Sequence, residues 1–280
     1  VHDGRAGSVI VDESEGKDWR FTPVAIPGTK SPVFLSGTTS GRPVRKVAVD
    51  DEFIFAINGK DLIVWDKNNY SEFIIKTHTY NLQSLFVDSE YIYAGTDGGE
   101  VFIYNRSDLA TPFGEVIFFQ DTTNWIMDIF ADSDYIYSYS RDDNVYIYSK
   151  SFSLLETIVT GSDDGTTVSS DNGTIYVAFS DWTSDNGKIL FYNKSDFLNY
   201  FNLSAPFGEV LVFYQDNSYI YAGGTDTNWE RAWFRAWDRN NFSVVFDWND
   251  SRFIDGYTWY GNVHAITGDE ANVYFGGRDY

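Results

Sequence analysis

The sequence holds no cysteine, one methionine, six prolines and three histidines in 280 residues. Without a thiol there is no disulfide framework, no thiol redox centre and no thiolate metal site, so a metal would need oxygen ligands. Positive charge is scarce too. Twenty basic residues face forty-one acidic ones, and the formal charge of −21 repels nucleic acid and anionic lipid, so neither is expected as a partner. No apolar run approaches the roughly 18 residues that a bilayer span requires, so no membrane insertion is expected. The chain opens at Val1 without an initiator methionine, and the expectation is a secreted chain whose signal peptide has been cleaved.

Aromatic residues are what the chain has in quantity: 23 Phe, 20 Tyr and 9 Trp, enough that large flat side chains must pack on one another through most of the molecule. They recur in a pattern. A short hydrophobic run ends in an Asp, and four residues later comes a β-branched residue that opens an aromatic strand. The Asp residues are Asp50, Asp88, Asp132, Asp171, Asp216 and Asp269, spaced 38, 44, 39, 45 and 53 apart. An Asp at the first turn position accepts backbone amides two residues on and pins a tight hairpin, so these six are expected to be structural. In five copies a second strand follows and ends in an aromatic, a polar residue and a cation: Trp65-Asp66-Lys67, Tyr104-Asn105-Arg106, Tyr148-Ser149-Lys150, Tyr192-Asn193-Lys194 and Trp237-Asp238-Arg239.

Periods of about 40 to 50 residues predict an all-β fold, a six-bladed β-propeller of four-stranded antiparallel blades in one domain spanning 1–280. The sixth copy stops one strand after its turn. The N-terminus is expected to complete it, with residues 8–21 as the closing strands of the last blade and Val11 in the aromatic position. Val273 to Val11 around the circle is 18 positions, against 17 in two other blades. Residues 22–43, with four of the six prolines, form an irregular connection that either spans the surface or crosses to a neighbouring subunit.

The stretch YIYAGTDGGEVFIYNRSDL, Tyr91 to Leu109, resembles the repeats of the WD-repeat and quinoprotein-type propeller superfamily in its Gly pair and its aromatic-plus-Asn strand end. Trp-Asp occurs in only two copies, at 65–66 and 237–238, and the Gly-His pair of WD repeats is absent. The resemblance implies a fold and no particular activity.

Seven Asn-X-Ser/Thr sequons are candidate glycosylation sites: Asn69, Asn105, Asn172, Asn193, Asn202, Asn241 and Asn249. Asn69, Asn105, Asn193 and Asn241 fall at third-hairpin turns and Asn172 at a first-hairpin turn, which lie at one end of a four-stranded meander, so N-glycans would coat one face. Asn and Ser also favour turns for their hydrogen bonding alone. The opposite face gathers the longer loops and candidate binding residues His78, Trp125, Trp182, Trp229, Tyr257, Trp259 and Tyr260. Asp163 with Asp164 and Asp181 with Asp185 offer oxygen to calcium, but neither matches a full calcium-loop spacing, and no cofactor is expected. The histidines at 2, 78 and 264 lack ligand spacing, and no nucleophile sits in a hydrolase context. The leading expectation is a non-enzymatic, glycosylated extracellular surface or filament protein that associates with itself. A recognition module binding glycan or protein through its aromatics, and a hydrolase or lyase using central acids, are the other readings.

Overall fold

The computed structural model describes residues 9–12, 20–23, 44–68, 72–109, 117–120, 124–161, 164–180, 187–205, 208–226, 232–249, 262–268 and 273–278. They fall in two compact units, Val1–Thr79 and Tyr80–Tyr280.

In the first unit, β1 (Val9–Asp12) and β2 (Arg20–Pro23) pair as a two-stranded sheet, Val11 opposite Phe21. The strands β3 (Val44–Val49), β4 (Phe53–Asn58), β5 (Asp61–Asp66) and β6 (Glu72–Thr77) form an antiparallel meander, here sheet I. The middle strands are its core: Ala56, Ile63 and Trp65 pack together with Ile54 at their side. The first strand is different, with Val44, Val47 and Val49 all exposed.

The second unit repeats the meander. Sheet II is β7 (Leu82–Val87), β8 (Tyr91–Thr96), β9 (Glu100–Asn105) and β10 (Ile117–Gln120). Sheet III is β11 (Ile126–Ala131), β12 (Tyr135–Ser140), β13 (Asn144–Ser149) and β14 (Leu154–Val159). Sheet IV is β15 (Asp164–Ser170), β16 (Thr174–Ser180), β17 (Lys188–Asn193) and β18 (Asn199–Ser204). Sheet V is β19 (Glu209–Gln215), β20 (Tyr219–Thr225), β21 (Ala232–Asp238) and β22 (Val244–Asn249). The hairpin of β23 (Asn262–Gly268) and β24 (Val273–Arg278) follows as a two-stranded sheet, here sheet VI.

The second strand YIYSYS of sheet III is buried over nearly its whole length because it lies between sheets II and IV, which calls for apolar or aromatic residues on both faces. The core is accordingly a series of layers between consecutive sheets. Tyr93, Val101 and Ile103 of sheet II meet Ile126, Ile129 and Ile136 of sheet III. Tyr137, Tyr139 and Ile147 meet Val168, Ile175 and Val177 of sheet IV. Tyr176, Ile189 and Phe191 meet Val210, Phe213 and Trp233 of sheet V, and Tyr221 and Phe234 meet Ile266 and Val273 of sheet VI. Each first strand carries a bulge near its start, between Leu82 and Ser84, Ile126 and Asp128, Val210 and Val212, and Val263 and Ala265. Such bulges increase local twist and let one first strand nest on the next. Polar groups tie these strands together: the Ser84 hydroxyl donates to the Ile126 carbonyl at 3.1 Å, and Asp128 Oδ2 accepts from Thr167 Oγ1 and the Val168 amide at 2.7 and 3.1 Å.

The all-β class stands, but a six-bladed propeller closed by the N-terminal strands does not. Among the described residues five sheets have four strands, and of residues 8–21 the described ones, 9–12, 20 and 21, pair in the β1–β2 sheet, which is separate from β23–β24. Chain spacing had suggested closure, but spacing says nothing about edge chemistry. In each complete sheet the residue two past the third-strand aromatic is Lys or Arg; two past Val11 it is Glu13. A carboxylate there would oppose the turn carboxylates that those cations neutralise elsewhere, and the four residues of β1 offer a shorter ladder than the six or seven of a typical third strand. Of the 22–43 connection, only residues 22 and 23 lie within the described residues, in β2.

Close approach of sheets leaves no room for a side chain at Gly95. A Cβ on Gly95 would lie 2.4 Å from Ser84 Oγ and 2.5 Å from Ile126 Cγ2 of the next sheet. Replacing Gly95 by Val is expected to cost about 1–3 kcal/mol through overpacking, read as a lower urea midpoint, whereas Gly173→Ala, whose Cβ meets nothing within 4 Å, should leave the midpoint nearly unchanged.

Candidate functional site

Among the described residues, the recurring Asp turns gather a dense set of polar contacts. At each of the five described turns one carboxylate oxygen, Oδ1, accepts the amides of the residues two and three further on. Asp50 takes Glu52 and Phe53, both at 2.7 Å; Asp88 takes Glu90 and Tyr91 at 2.8 and 2.7 Å. Asp132 takes Asp134 and Tyr135, Asp171 takes Gly173 and Thr174, and Asp216 takes Ser218 and Tyr219, all between 2.7 and 3.0 Å. Two amides that would face outward without a strand partner are thereby satisfied, and the hairpin is fixed. Asp269 lies outside the described residues.

The second oxygen faces inward. A Tyr five residues on donates its hydroxyl to Oδ2: Tyr93 to Asp88 at 2.8 Å, Tyr137 to Asp132 at 2.9 Å, Tyr176 to Asp171 at 2.6 Å and Tyr221 to Asp216 at 2.9 Å. In sheet I this position is Phe55. A cation from the following sheet then completes the cluster. Lys150 Nζ lies 2.9 Å from Asp88 Oδ2 and 3.1 Å from the Tyr93 hydroxyl. Lys194 Nζ lies 2.8 Å from Asp132 Oδ2, where the Ser170 hydroxyl also donates, and the Arg239 guanidinium pairs with Asp171 Oδ2. The same cations grip their own sheets. Lys194 Nζ donates to the Asp171 carbonyl at 3.1 Å and Arg239 Nη1 to the Asp216 carbonyl at 2.9 Å, while their backbone amides bond to Gly173 and Ser218 carbonyls. The result is a ladder of carboxylate, phenol and cation that joins sheet II to III, III to IV and IV to V.

Burial pushes the Asp88 carboxyl up, but the hydrogen bonds from Lys150, the Glu90 and Tyr91 amides and the Tyr93 hydroxyl outweigh it and hold it below the usual carboxylate range. Asp132 is likewise pushed up by burial and brought below that range by Lys194, Ser170 and two amides. Burial, and for Tyr93, Tyr137 and Tyr221 the adjacent carboxylate, drives the phenols the other way, with Tyr176 raised by burial to about 12. These tyrosines stay protonated donors at any physiological pH. Fixed, fully engaged donors and acceptors of this kind bind sheets together; they present no poised base or nucleophile to a substrate.

Next to the ladder sits a feature the sequence gives no hint of. Phe152, Phe197 and Phe242, each in the turn after a third strand, have φ of 65°, 58° and 57°, a region costly for a side chain with a Cβ. Each ring reaches the preceding sheet: Phe152 meets Tyr91 edge-on at 5.4 Å, Phe197 meets Tyr135 at 5.6 Å, and Phe242 stacks on Phe201 at 4.0 Å. Inter-sheet packing offsets the backbone strain.

The other candidates are dispersed. Asn105, Asn172, Asn193, Asn202 and Asn241 are exposed. Asn105, Asn193 and Asn241 accept the amide of the sequon serine through Oδ1, at 3.0, 3.0 and 2.8 Å, so a turn geometry also accounts for those three. Asn69 and the side chain of Asn249 lie outside the described residues. His78 is 8% exposed and so is not presented to a ligand; burial, with Lys76 nearby, lowers its pKa to about 4 despite Asp61. Trp125 is exposed, with the Arg141 guanidinium 5.3 Å from its ring centroid. Trp182, Trp229, Tyr257, Trp259, Tyr260, Asp163, Asp181 and Asp185 lie outside the described residues, as does the side chain of Asp164. Among the described residues no cluster of three or more His, Asp or Glu is arranged to hold a metal.

Two substitutions test the ladder. Lys194 is nearly buried, with 8% of its side chain exposed, so Lys194→Met, which strands the Asp132 carboxylate, is expected to cost about 3 kcal/mol. Lys150, with 27% exposed, should cost about 1 kcal/mol when changed to Met. The sign with pH follows from the depressed carboxyls of Asp88 and Asp132. Their contribution is complete above the unfolded carboxylate pKa of about 4 and is lost as pH falls through the lower folded value. The stability gap between wild type and Lys194→Met, from urea titrations, should therefore narrow below about pH 4. His78 acts in a higher window: unfolded it takes a proton near pH 6.5, folded only near 4, so wild type should lose stability relative to His78→Gln as pH falls between those values.

No protein-family model matches the sequence, and no curated protein matches it. Among solved structures, the chain is similar in fold to the crystal structure of the computationally designed Ika8 protein, with a TM-score of 0.58 and 12% identity over 84% of this chain and 80% of that one.

Proposed function

We propose that the protein is a non-enzymatic structural protein that associates with itself, working outside the cell as a glycosylated surface or filament component. The observation that carries this reading is the apolar rim of the second unit. Outer strands ordinarily blunt their open edges with charge. Here Leu154, Leu155 and Val159 on β14, Tyr200 on β18, and Val244, Val245 and Phe246 on β22 are exposed, in three consecutive sheets. Exposed apolar groups recurring along a set of sheet edges favour strand-to-strand or face-to-face contact with another protein surface. The acidic excess keeps separate chains soluble until such contacts form, and an internally repeated rim suits unlike surfaces meeting head to tail, an arrangement that propagates. Exposed sequons at Asn105, Asn193 and Asn241, all in turns after a third strand, would place glycans at the sheet ends, where they leave much of the rim accessible.

Light scattering across a concentration series on secreted, glycan-bearing protein is expected to give a mass that rises with concentration, with ordered assemblies in micrographs. The double variant Leu155→Glu, Val245→Glu should raise the concentration needed for assembly by at least about tenfold, equivalent to about 1.4 kcal/mol. A strict monomer at every concentration would defeat the reading.

A further inference from the structure

The outer strand of sheet IV carries a residue that turn chemistry does not explain. Asn105 and Asn193 end their strands, and Asn172 and Asn241 sit in turns, where Asn is favoured for its hydrogen bonding alone. Asn202 instead stands inside β18, with three residues of the strand before it and two after. Asn is depleted in strands, yet this one opens the sequon Asn202-Leu203-Ser204.

Pleating sets how the triplet is displayed. Leu203 is buried in the layer between sheets IV and V, which turns Asn202 and Ser204 on either side of it to the opposite face, and both are exposed. Asn202 Oδ1 accepts from Asn199 Nδ2 at 2.9 Å. Its own Nδ2, the atom to which an N-linked sugar attaches, makes no hydrogen bond among the described residues.

The same strand carries part of the apolar rim. Leu198, just before β18, and Tyr200 within it are 66% and 54% exposed. Tyr200 is the extra residue of a β-bulge, since Asn199 and Phe201 on either side of it face Tyr192 and Phe191. Leu155 and Val245 are the matching bulge residues of β14 and β22. Two residues on, where β18 has Asn202, those strands have Thr157 and Asp247, neither of which can carry an N-glycan.

We propose that Asn202 carries an N-glycan that masks the apolar rim of sheet IV and leaves β14 and β22 to make the contacts between copies. In the transfer, which the secreting cell's oligosaccharide transferase performs, Asn202 Nδ2 bonds to the anomeric carbon of an oligosaccharide carried on a lipid diphosphate. The bond from that carbon to the diphosphate oxygen breaks, the diphosphate leaves with the electron pair, and Nδ2 gives up one proton. The bulky, hydrated oligosaccharide then lies two residues from Tyr200, where a second protein surface would otherwise meet the exposed ring. The choice of β14 and β22 rests on the self-association read from the rim; the glycan and its cover over Tyr200 do not.

The test uses the full chain secreted from a host that N-glycosylates. Peptide mass spectrometry is expected to find a glycan on Asn202. Hydroxyl-radical labelling of dilute, monomeric protein should rise severalfold at Leu198 and Tyr200 in Asn202→Gln, and equally in Ser204→Ala, which keeps the Asn and removes only the sequon. Labelling of Leu155 and Val245 should not change. By light scattering both variants should assemble at about a tenfold lower concentration than wild type, the equivalent of about 1.4 kcal/mol of regained contact. An unmodified Asn202, or Tyr200 labelling that is the same with and without the sequon, would overturn the proposal, as would variants and wild type assembling at the same concentration. If labelling changes while every form stays monomeric, the glycan and its cover stand and self-association is what fails.

Discussion

A carboxylate with two jobs underlies the architecture. Oδ1 of each described turn Asp closes a hairpin within its sheet, and Oδ2 takes a phenol from the same sheet at Asp88, Asp132, Asp171 and Asp216 and a cation from the next sheet at the first three. Local turn and long-range packing are therefore linked through one side chain. A sheet that did not form its turn would have no acceptor for its neighbour, and a sheet without a neighbour would leave its inner oxygen short of charge. Burying charge is costly unless it is paired and hydrogen-bonded. Here the cost is met at Asp88 and Asp132 by giving each carboxylate three or more donors, which keeps both ionised despite burial.

Stacking by a repeated contact makes the second unit close to one-dimensional: each sheet depends chiefly on the two beside it. Apolar layers supply most of the attraction, while the ladder and the edge-on phenylalanines fix how one sheet is rotated and offset from the next. Interior sheets are covered on both faces. In the first unit β3 leaves three valines exposed, and in the second, among the described residues, β24 pairs with β23 alone.

Much of this was legible along the chain. The six Asp positions, the aromatic strands after them and the third strands ending in Lys or Arg mark out sheets, hairpins and an all-β class, because turn chemistry and strand patterning act over a few residues. The turn-closing contacts of Asp50, Asp88, Asp132, Asp171 and Asp216 follow from the same short-range chemistry. The cations were visible as a recurring residue but not as a contact, since Lys150 and Asp88 are 62 residues apart. Equal spacing around the chain pointed to a closed ring of six, yet counting positions carries no information on whether an edge is matched in charge and length, and Glu13 breaks the match.

The sequence by itself determined the local grammar: where each hairpin turns, which residues alternate inward, and that no thiol chemistry occurs. Only the tertiary structure decided which sheet neutralises which, that Phe152, Phe197 and Phe242 adopt left-handed backbone to reach a neighbour, and that His78 is buried while the rim valines and leucines are not. The reason is range. Hairpin geometry is set by residues within hydrogen-bonding reach along the chain, whereas pairing, burial and strain depend on groups brought together across dozens of residues, and a linear pattern does not encode those distances.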